Sequence, residues 1–497
     1  MGIMTSLMRK CGFAPEAEVR GLRQQVTQMA RRNAFSSEKQ RLYQWANSGA
    51  SVDAEVRSSL TKARSMSREI ARWNPHARKF LGLLVANVIG PTGIGLQMKI
   101  AEPNGKPDAL ANTIIERWYR ESGRKGRYTA DGKLDRVAAS GMALRCVATA
   151  GEVLIRKVKN TAFPGGYTRQ IIEPDLLDET ANYQRGNGRF AGEVRMGVEI
   201  DEWGKPLFYH LRTRHPGDGT YDFQGSHVER VPADEIIHLF VMERPGQTRG
   251  IPWFLPVAER MKMLAGYAEA ELVAARTAAA KMGFFETDGS TEYSGETDAS
   301  GDFQMDAAPG SLEALPPGWR LKEWDPQHPT SAYKDFTKAM IREMAAGLLC
   351  SYTGLSGDLE GVNFSSIRQG VLDERDMWML LQNWWIEHYE REDFGAALSM
   401  ALLTGELNLP ASKFQKFNSP VFQPRRWSWV DPLKDISAAG YAVALGTKSR
   451  TMVAAEQGVD FEDVLADLKA EQDAATAAGL TLQNPALPNV PQPTSEA

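Results

Sequence analysis

Apolar side chains recur every three or four residues at Tyr333, Phe336, Met340, Ile341, Met344, Ala345, Leu348 and Leu349. That spacing lines one face of an amphipathic helix, and Pro329-Thr330 punctuates its start. The stretch Tyr352–Ser366 then loses the period and carries Gly354, Gly357 and Gly361, so it predicts an ordered loop. From Ser366 the helical pattern resumes through Ile367, Val371, Leu372, Trp378, Leu381, Trp384 and Trp385. The centre of the chain is therefore helix, glycine-rich loop, helix.

Upstream, Asn74-Pro75 predicts a helix start with proline at the first position. The glycines at 90, 93 and 95 end that helix. Between Ala143 and Arg244 the period changes to two. Strands are predicted over 151–158, 169–173, 197–200, 207–211 and 235–241, with Asp201–Pro206 as a hairpin connection. Residues 253–282 return to a helical stripe of Val257, Met261, Leu264, Ala268, Leu272 and Ala275, rich in alanine. Phe284-Phe285 and Trp319–Trp324 are two short strands that close a small subdomain. Trp427-Ser-Trp429 alternates as a strand, Asp431–Lys434 opens a helix, and a helical pair follows over 436–445 and 461–471. After about 472 the composition turns to Ala, Gln, Pro and Thr, which predicts disorder.

Length and composition narrow the class. A chain of 497 residues is too long for one small core and suggests several compact units. No run of about 18 apolar residues offers a membrane span. The first 20 residues have no apolar core after Arg9 and Lys10, so they do not match a signal peptide. The three cysteines, Cys11, Cys146 and Cys350, lie far apart in no metal spacing and are expected to be free thiols.

Charge adds a constraint. The formal net charge is −4. A protein built to grip nucleic acid is usually basic. Basic residues recur over 1–80, either as solvated helices or as an arm touching DNA or a shell. Between Lys281 and Arg320 there is no Lys or Arg, while Glu286, Asp288, Glu292, Glu296, Asp298, Asp302 and Asp306 stand among Gly, Ser and Thr. That is a self-repelling surface loop; it lacks the spacing of a calcium loop. Lys334, Lys338 and Arg342 fall four apart and form one stripe. The stripe is either a solvated face paired with nearby acids or a sparse basic line that meets phosphates.

Enzyme chemistry finds little support. Gly90-x-x-Gly93-x-Gly95 follows a helix rather than a strand and is not a dinucleotide fingerprint. Thr447-Lys448-Ser449 lacks the frame of a phosphate loop. Gly354-Leu-Ser-Gly357 is one residue short of a nucleophile elbow. The seven histidines show no metal spacing, and His388 near Glu387 and Asp393 is more simply a helix-surface histidine than a base. No catalytic residue, metal or cofactor is expected.

Several of these segments together resemble the lambda-type family of phage portal proteins. The resemblance rests on Ile341–Leu349 and Ser351–Arg368, on the Asn74-Pro75-x-Ala77-Arg78 helix, and on Ile172–Asp178, Glu202–Pro206 and Glu243–Trp253. It extends to Trp427-x-Trp429 with Asp431-Pro-Leu-Lys434. It covers roughly residues 65–465 in order. It implies an α+β portal fold with an α/β wing, a long-helix stem, a small α/β clip and a helical C-terminal part.

Residue by residue, the resemblance assigns 1–64 to a basic helical arm, 65–252 to the wing and 253–283 to the first stem helix. The acidic insertion, 284–329, is the clip, where a packaging motor and later a neck protein dock. The second stem helix is 330–352, and the tunnel loop is 353–366, represented by Gly354, Gly357, Asp358, Glu360, Gly361, Asn363, Phe364, Ser365 and Ser366. A long helix and wing return occupy 367–434, crown-like helices 435–471, and a disordered tail 472–497.

The functional implication is a homo-oligomeric ring, typically of twelve, at one capsid vertex. Double-stranded DNA would slide through it non-specifically, with Lys334, Lys338 and Arg342 facing the DNA and the acidic loop repelling phosphate. Its partners would be the terminase large subunit, the major capsid protein or scaffold, and a neck or head-completion protein. It would reside in the virion, and in the host cytoplasm during assembly, with no membrane. Two rivals remain open at this stage: another capsid or head–tail adaptor protein, and an uncharacterised enzyme.

Overall fold

The computed structural model describes residues 49–102, 108–184, 192–218, 227–279, 283–287, 319–323, 332–360, 364–427, 432–457, 459 and 461–479. Expectations for the arm before residue 49, Cys11, most of the acidic insertion, Gly361, Asn363, Ser428-Trp429 and the tail from 480 fall outside them.

The first helix, α1 (Val52–Trp73), starts where Ser51 Oγ accepts the amide of Ala54. At its end Asn74 caps α2 (Pro75–Val88), its Oδ1 accepting from the amides of His76 and Ala77, with Pro75 at the first helical position. Strand β1 (Gly95–Met98), α3 (Ala109–Ser122) and α4 (Arg136–Ala150) follow. The period-two region becomes β2 (Glu152–Lys159), β3 (Tyr167–Ile172), β4 (Glu193–Arg195), β5 (Val198–Ile200), β6 (Pro206–Arg212), β7 (Val228–Pro232) and β8 (Ile236–Phe240).

These strands form two antiparallel sheets, ordered β3-β2-β8 and β4-β5-β6-β7. In the first, Leu154 faces Ile172 on one side and His238 on the other. In the second, the β5–β6 connection is held by Asp201 Oδ1, which accepts the amides of Trp203 and Lys205.

The long helix α5 (Ala258–Ala279) begins later than its stripe suggests, because Leu255–Val257 form a tight 3₁₀ turn. Only its first half buries the stripe: Met261 and Leu264 are buried, while Leu272 and Val273 are exposed. Strands β9 (Gly283–Thr287) and β10 (Trp319–Glu323) pair antiparallel, with Glu286 in register with Arg320. Then come α6 (Ala332–Gly347), the short α7 (Tyr352–Ser356), α8 (Phe364–Trp385) and α9 (Arg391–Leu403), the last two joined by a π-helical turn over Ile386–Glu390.

Strand β11 (Pro420–Gln423) pairs with β1 and ties the late chain to the early one. Helices α10 (Pro432–Ala444), α11 (Arg450–Glu456) and α12 (Phe461–Ala477) complete the described chain.

Three boundaries differ from expectation. The loop expected from Tyr352 begins as a helical turn, because Ser351 Oγ accepts the amide of Gly354 and caps it. Gly357, at φ +74°, ends that turn. Phe364, Ser365 and Ser366, expected in the loop, form the first turn of α8. At the far end, α12 runs to Ala477, past the break expected near 472, through an alanine-rich stretch of high helix propensity.

The main core gathers α2, α4, the face of the β3-β2-β8 sheet, the start of α5, α6 and α8–α9. Leu84, Leu144, Phe254, Met344, Trp385 and Leu398 are fully buried in it. A second core fills the space between the two sheets, and a third, of only Val52, Val56, Leu60 and Met196, lies under α1.

Candidate functional site

The residues singled out as a basic stripe and an acidic loop meet in the fold. Lys334 and Lys338 stand one turn apart on α6. Lys334 Nζ donates to Glu360 Oε1 at 2.7 Å, and Lys338 Nζ to Glu360 Oε2 at 3.1 Å. Lys338 Nζ also lies 3.4 Å from Asp358 Oδ2. Asp358 is further fixed by the Tyr352 hydroxyl, which donates to Oδ2 at 2.7 Å, and by the Glu360 amide, which donates to Oδ1 at 2.9 Å.

The amide of Glu360 does most to pull the Asp358 carboxyl down to about 2, followed by the Tyr352 hydroxyl and Lys338. Lys338 is pushed up chiefly by Glu360, and Glu360 is pushed down by Lys334 and Lys338. The guanidinium of Arg342 sits 5.2 Å from the centroid of the Tyr352 ring.

The base of the loop is anchored. Leu355 is buried in the main core, and Ser351 Oγ donates to Glu374 Oε2 on α8 at 2.7 Å. Just beyond Gly357, Leu359 is well exposed. The acids of the loop thus face two lysines of their own chain, so their charge is compensated locally. Of the acidic insertion only Glu286 falls in a described element, strand β9; Asp288, Glu292, Glu296, Asp298, Asp302 and Asp306 lie outside the described residues.

Residue periodicity did not reveal a buried ionic hub. Glu152, the first residue of β2, has no exposure. Its carboxylate accepts from Arg249 Nε at 2.8 Å, from the Gly250 amide at 2.8 Å and from Arg64 Nη2, and lies 2.9 Å from His238 Nε2. Arg249 also donates to the carbonyls of Met196 and Pro174. Burial pushes the Glu152 carboxyl up, but Arg249 and Arg64 overcome it and hold the group well below the ordinary range.

A carboxylate locked between two guanidiniums and sealed from solvent is a structural anchor, not a general base. The segments Ile172–Asp178 and Glu243–Trp253, noticed in the sequence as motifs, both reach this hub. Arg249, in the second, donates to Pro174, in the first. The isolated Glu152 at the head of an apolar strand was the one local signal for it.

A second buried set lies between β3 and α9. Arg169 grips Asp393 with two bonds of 2.8 Å, and the Tyr167 hydroxyl adds a third at 2.9 Å. In the adjoining π turn, Glu390 accepts from the Tyr119 hydroxyl at 3.2 Å and Trp385 Nε1 at 3.1 Å. Burial raises the Glu390 carboxyl, with Arg136 opposing.

Other candidates for chemistry are occupied structurally. His388 is exposed, its Nδ1 2.9 Å from the Trp384 carbonyl. Ser449 caps α11 rather than shaping a phosphate cradle. Glu173, Asp175 and His215 approach one another closely enough to hold a cation. Arg68 is already there, 2.9 Å from Glu173 and hydrogen-bonded to Asp175. Among the described residues no helix is long and apolar enough to cross a membrane.

Comparison with known proteins agrees with the resemblance read from the motifs. Residues 38–382 match the family model described as phage portal protein, lambda family. The chain is 35% identical over 411 residues to a probable portal protein of Halomonas phage phiHAP-1, covering 81% of this chain and 78% of that one. It is 22% identical over 493 residues to portal protein B of Escherichia phage lambda, covering 88% of each. Among solved structures it is similar to the neck of a native gene transfer agent particle computed with C12 symmetry. There the TM-score is 0.44 at 12% identity, over 79% of this chain and 93% of that one.

Proposed function

The chain belongs to the lambda family of phage portal proteins, a structural and non-enzymatic component of the phage head–tail connector, and from that premise we propose how it works. Copies close into a ring, typically of twelve, at one capsid vertex. The genome enters through the central channel, driven by the terminase large subunit, and leaves by the same route at infection. The ring assembles in the host cytoplasm with the major capsid protein or scaffold, and it later carries the neck or head-completion protein.

The observation that carries this reading is the 35% identity to a portal protein sustained over 81% of the chain. Two physical features support it. The outer half of α5 leaves Leu272 and Val273 about half exposed, as does Phe336 on α6. Apolar helix faces of this kind are what neighbouring copies in a ring would cover. The net charge of −4 also suits a channel, because each tight phosphate contact would have to be broken for DNA to move.

Within that reading, α5 and α6 are the stem pair. Residues 284–329 are the clip that meets the motor, and 353–366, which holds the rest of the capped turn and the first residues of α8 at its two ends, is the segment that reaches the lumen. Lys334 and Lys338 act on DNA only through what they do to this loop, since both are engaged by Glu360. Arg342 remains the stripe residue assigned to phosphate.

The mass of the purified protein by light scattering, with negative-stain images of the same sample, tests the ring. Closed rings with a central hole are expected. Particles that stay single across concentration and salt, and with scaffold present, would overturn the assembly. For the loop, deletion of 356–361 should leave rings intact and impair DNA packaging or retention. Normal packaging by that variant would remove the loop from the channel.

A further inference from the structure

At the corner between α1 and α2 the side chains that face water are of one chemical kind. Arg72 and Trp73 close α1, Asn74 caps α2, and Arg78 and Lys79 follow in the first turns of α2. All of Arg72, Trp73, Arg78 and Lys79 are exposed, Trp73 to 76%. Among the described residues none of the three cations forms an ion pair, and the Trp73 indole has neither a ring contact nor a hydrogen bond. Glu69 is the one acid between 69 and 79, so the corner carries a balance of +2 in a chain of net charge −4.

A guanidinium, an ammonium and an indole N–H all donate hydrogen bonds and accept none. A surface of donors alone fits a partner that is anionic and offers only acceptors. The nearby acceptor is turned inward, since Asn74 Oδ1 is spent on the amides of His76 and Ala77. The acids of the glycine-rich loop are engaged as well, by Lys334 and Lys338. The corner therefore lacks a partner within its own surroundings.

Its place in the fold points to one. Helix α2 packs on α7, the capped turn at the base of the glycine-rich loop. Burial pushes the His76 imidazole down, and the carbonyl of Leu355 on α7 opposes that fall. Arg342 lies against Tyr352 of the same turn. The corner thus stands beside the segment assigned to the lumen, and it adds three cations to Arg342.

We propose that Arg72, Trp73, Arg78 and Lys79 form a contact for the sugar–phosphate backbone of double-stranded DNA next to the loop. The proposal rests on the portal reading, which brings that polyanion past this segment. Arg72, Arg78 and Lys79 neutralise phosphates. Trp73 donates its indole N–H to a phosphate oxygen and lays its ring on the adjoining sugar. Contacts of this kind carry no sequence information. Being exposed, they are screened by salt and broken at little cost, which suits a duplex that must keep moving.

Fluorescence anisotropy of a labelled duplex with the full chain, repeated across salt concentrations, tests the contact. Each phosphate neutralised contributes about 0.9 to the slope of log K against log salt. Arg72→Gln with Arg78→Gln and Lys79→Gln should lower that slope by about 2–3. Trp73→Ala should weaken binding by about tenfold, the loss of one hydrogen bond to a charged group. It should leave the slope unchanged, because the indole is neutral. Arg117→Gln with Arg120→Gln and Lys125→Gln removes three other exposed cations, on α3 and the turn after it, and should change neither quantity.

All these side chains are on the surface, so unfolding midpoints should match wild type. An equal fall of slope in the two triple variants would overturn the proposal, because the charge would then act only as a whole. Failure of wild type to bind the duplex would overturn it too. Displacement of the duplex by polyglutamate at equal charge would do the same and assign the corner to an acidic protein. Light scattering on the same samples reads the ring separately. Closed rings with an unaltered slope in the Arg72, Arg78 and Lys79 variant refute this contact alone, whereas particles that stay single refute the assembly.

Discussion

Lys338 reaches both acids of the glycine-rich loop: its Nζ is 3.1 Å from Glu360 Oε2 and 3.4 Å from Asp358 Oδ2. The loop is thereby fastened to α6, the helix that precedes it, by charges on its own chain. These three groups and Lys334, which also pairs with Glu360, are accessible to water, so the fastening is electrostatic, reversible and sensitive to salt. A lysine that neutralises the loop acids in one position releases two negative charges when the loop moves away.

The pH dependence of this fastening follows from the shifts. Asp358 is held down at about 2, so its contribution is complete above its ordinary value, 3.8, and is lost as pH falls through about 2. Lys338 is pushed up, so its contribution is complete below its ordinary value, 10.5, and is lost only as pH rises above that. The loop is therefore expected to stay fastened across neutral pH and to open only in acid below about pH 4 or in strong base. Glu360→Lys should open it at pH 7 by placing a third cation beside Lys334 and Lys338. Limited proteolysis at 357–363 reads this: faster cleavage in Glu360→Lys, with little further effect of salt. Equal cleavage in wild type and variant would show that the ion pairs do not hold the loop.

Gly151 and Gly250 press their backbones together at the entrance to β2. A Cβ on Gly151 would lie 2.6 Å from the carbonyl carbon of Gly250, and one on Gly250 would overlap the Gly151 carbonyl oxygen. Gly151 also sits at φ +89°, the conformation that ends α4. Gly250→Ala is expected to cost about 1–3 kcal/mol through forced backbone movement, and Gly151→Ala more, because strain in φ adds to the overlap. Thermal unfolding of both variants checks the order. By contrast Gly204→Ala meets nothing within 4 Å, and its cost should come only from its φ of +83°.

What the sequence revealed, and what it hid, divides by the range of the interaction. The Asn74-Pro75 cap and the Asp201–Pro206 connection both follow from residues a few positions apart. Each was therefore legible as a local pattern. The half-buried stripe of α5 was only partly legible: Met261 and Leu272 look alike in the periodicity, and only the position of the body shows that the first is covered and the second is not.

The pairing of Lys334 and Lys338 with Asp358 and Glu360 needed the capped turn at Ser351, which brings the loop back along α6. The glycines masked that turn, because Gly354 reads as a breaker while its amide is what Ser351 caps. Apart from Glu152 itself at the head of an apolar strand, the hub left no local pattern, since its partners come from positions 64, 238, 249 and 250.

The Glu152 hub makes a sharp prediction about stability. Arg249→Met removes one of two guanidiniums and leaves the carboxylate buried with a single full countercharge beside His238. Breaking a buried pair from one side costs about 3–5 kcal/mol. The unfolding midpoint should drop accordingly, and the loss should shrink in acid. The sign follows from the depressed carboxyl. Its stabilising contribution is present above its ordinary value, 4.5, and disappears as pH falls through its folded value, so wild type and variant converge at low pH. Denaturant titrations at pH 7 and pH 3 measure the difference. A gap as large at pH 3 as at pH 7 would mean that Arg249 acts through packing and its bonds to Met196 and Pro174 alone.

Glu390 is the counter-case, and glutamine in its place should have the opposite effect to glutamine in place of Glu152. Both carboxyls are buried, but among the described residues Glu390 has only the Tyr119 hydroxyl and the Trp385 indole as hydrogen-bond donors, and burial raises it above 4.5. The folded state then binds its proton more readily than the unfolded state, so stability declines as pH rises from 4.5 through the folded value. At pH 7 the charged form is a liability that glutamine removes, while the glutamine carbonyl still accepts from Tyr119 or Trp385. Glu390→Gln is expected to hold or raise the midpoint at pH 7 and to match wild type near pH 4, whereas Glu152→Gln should lower it at pH 7. Thermal melts of the two variants side by side test the contrast. A fall in Glu390→Gln equal to that of Glu152→Gln would show that Arg136 compensates Glu390 more fully than its distance from a direct bond implies.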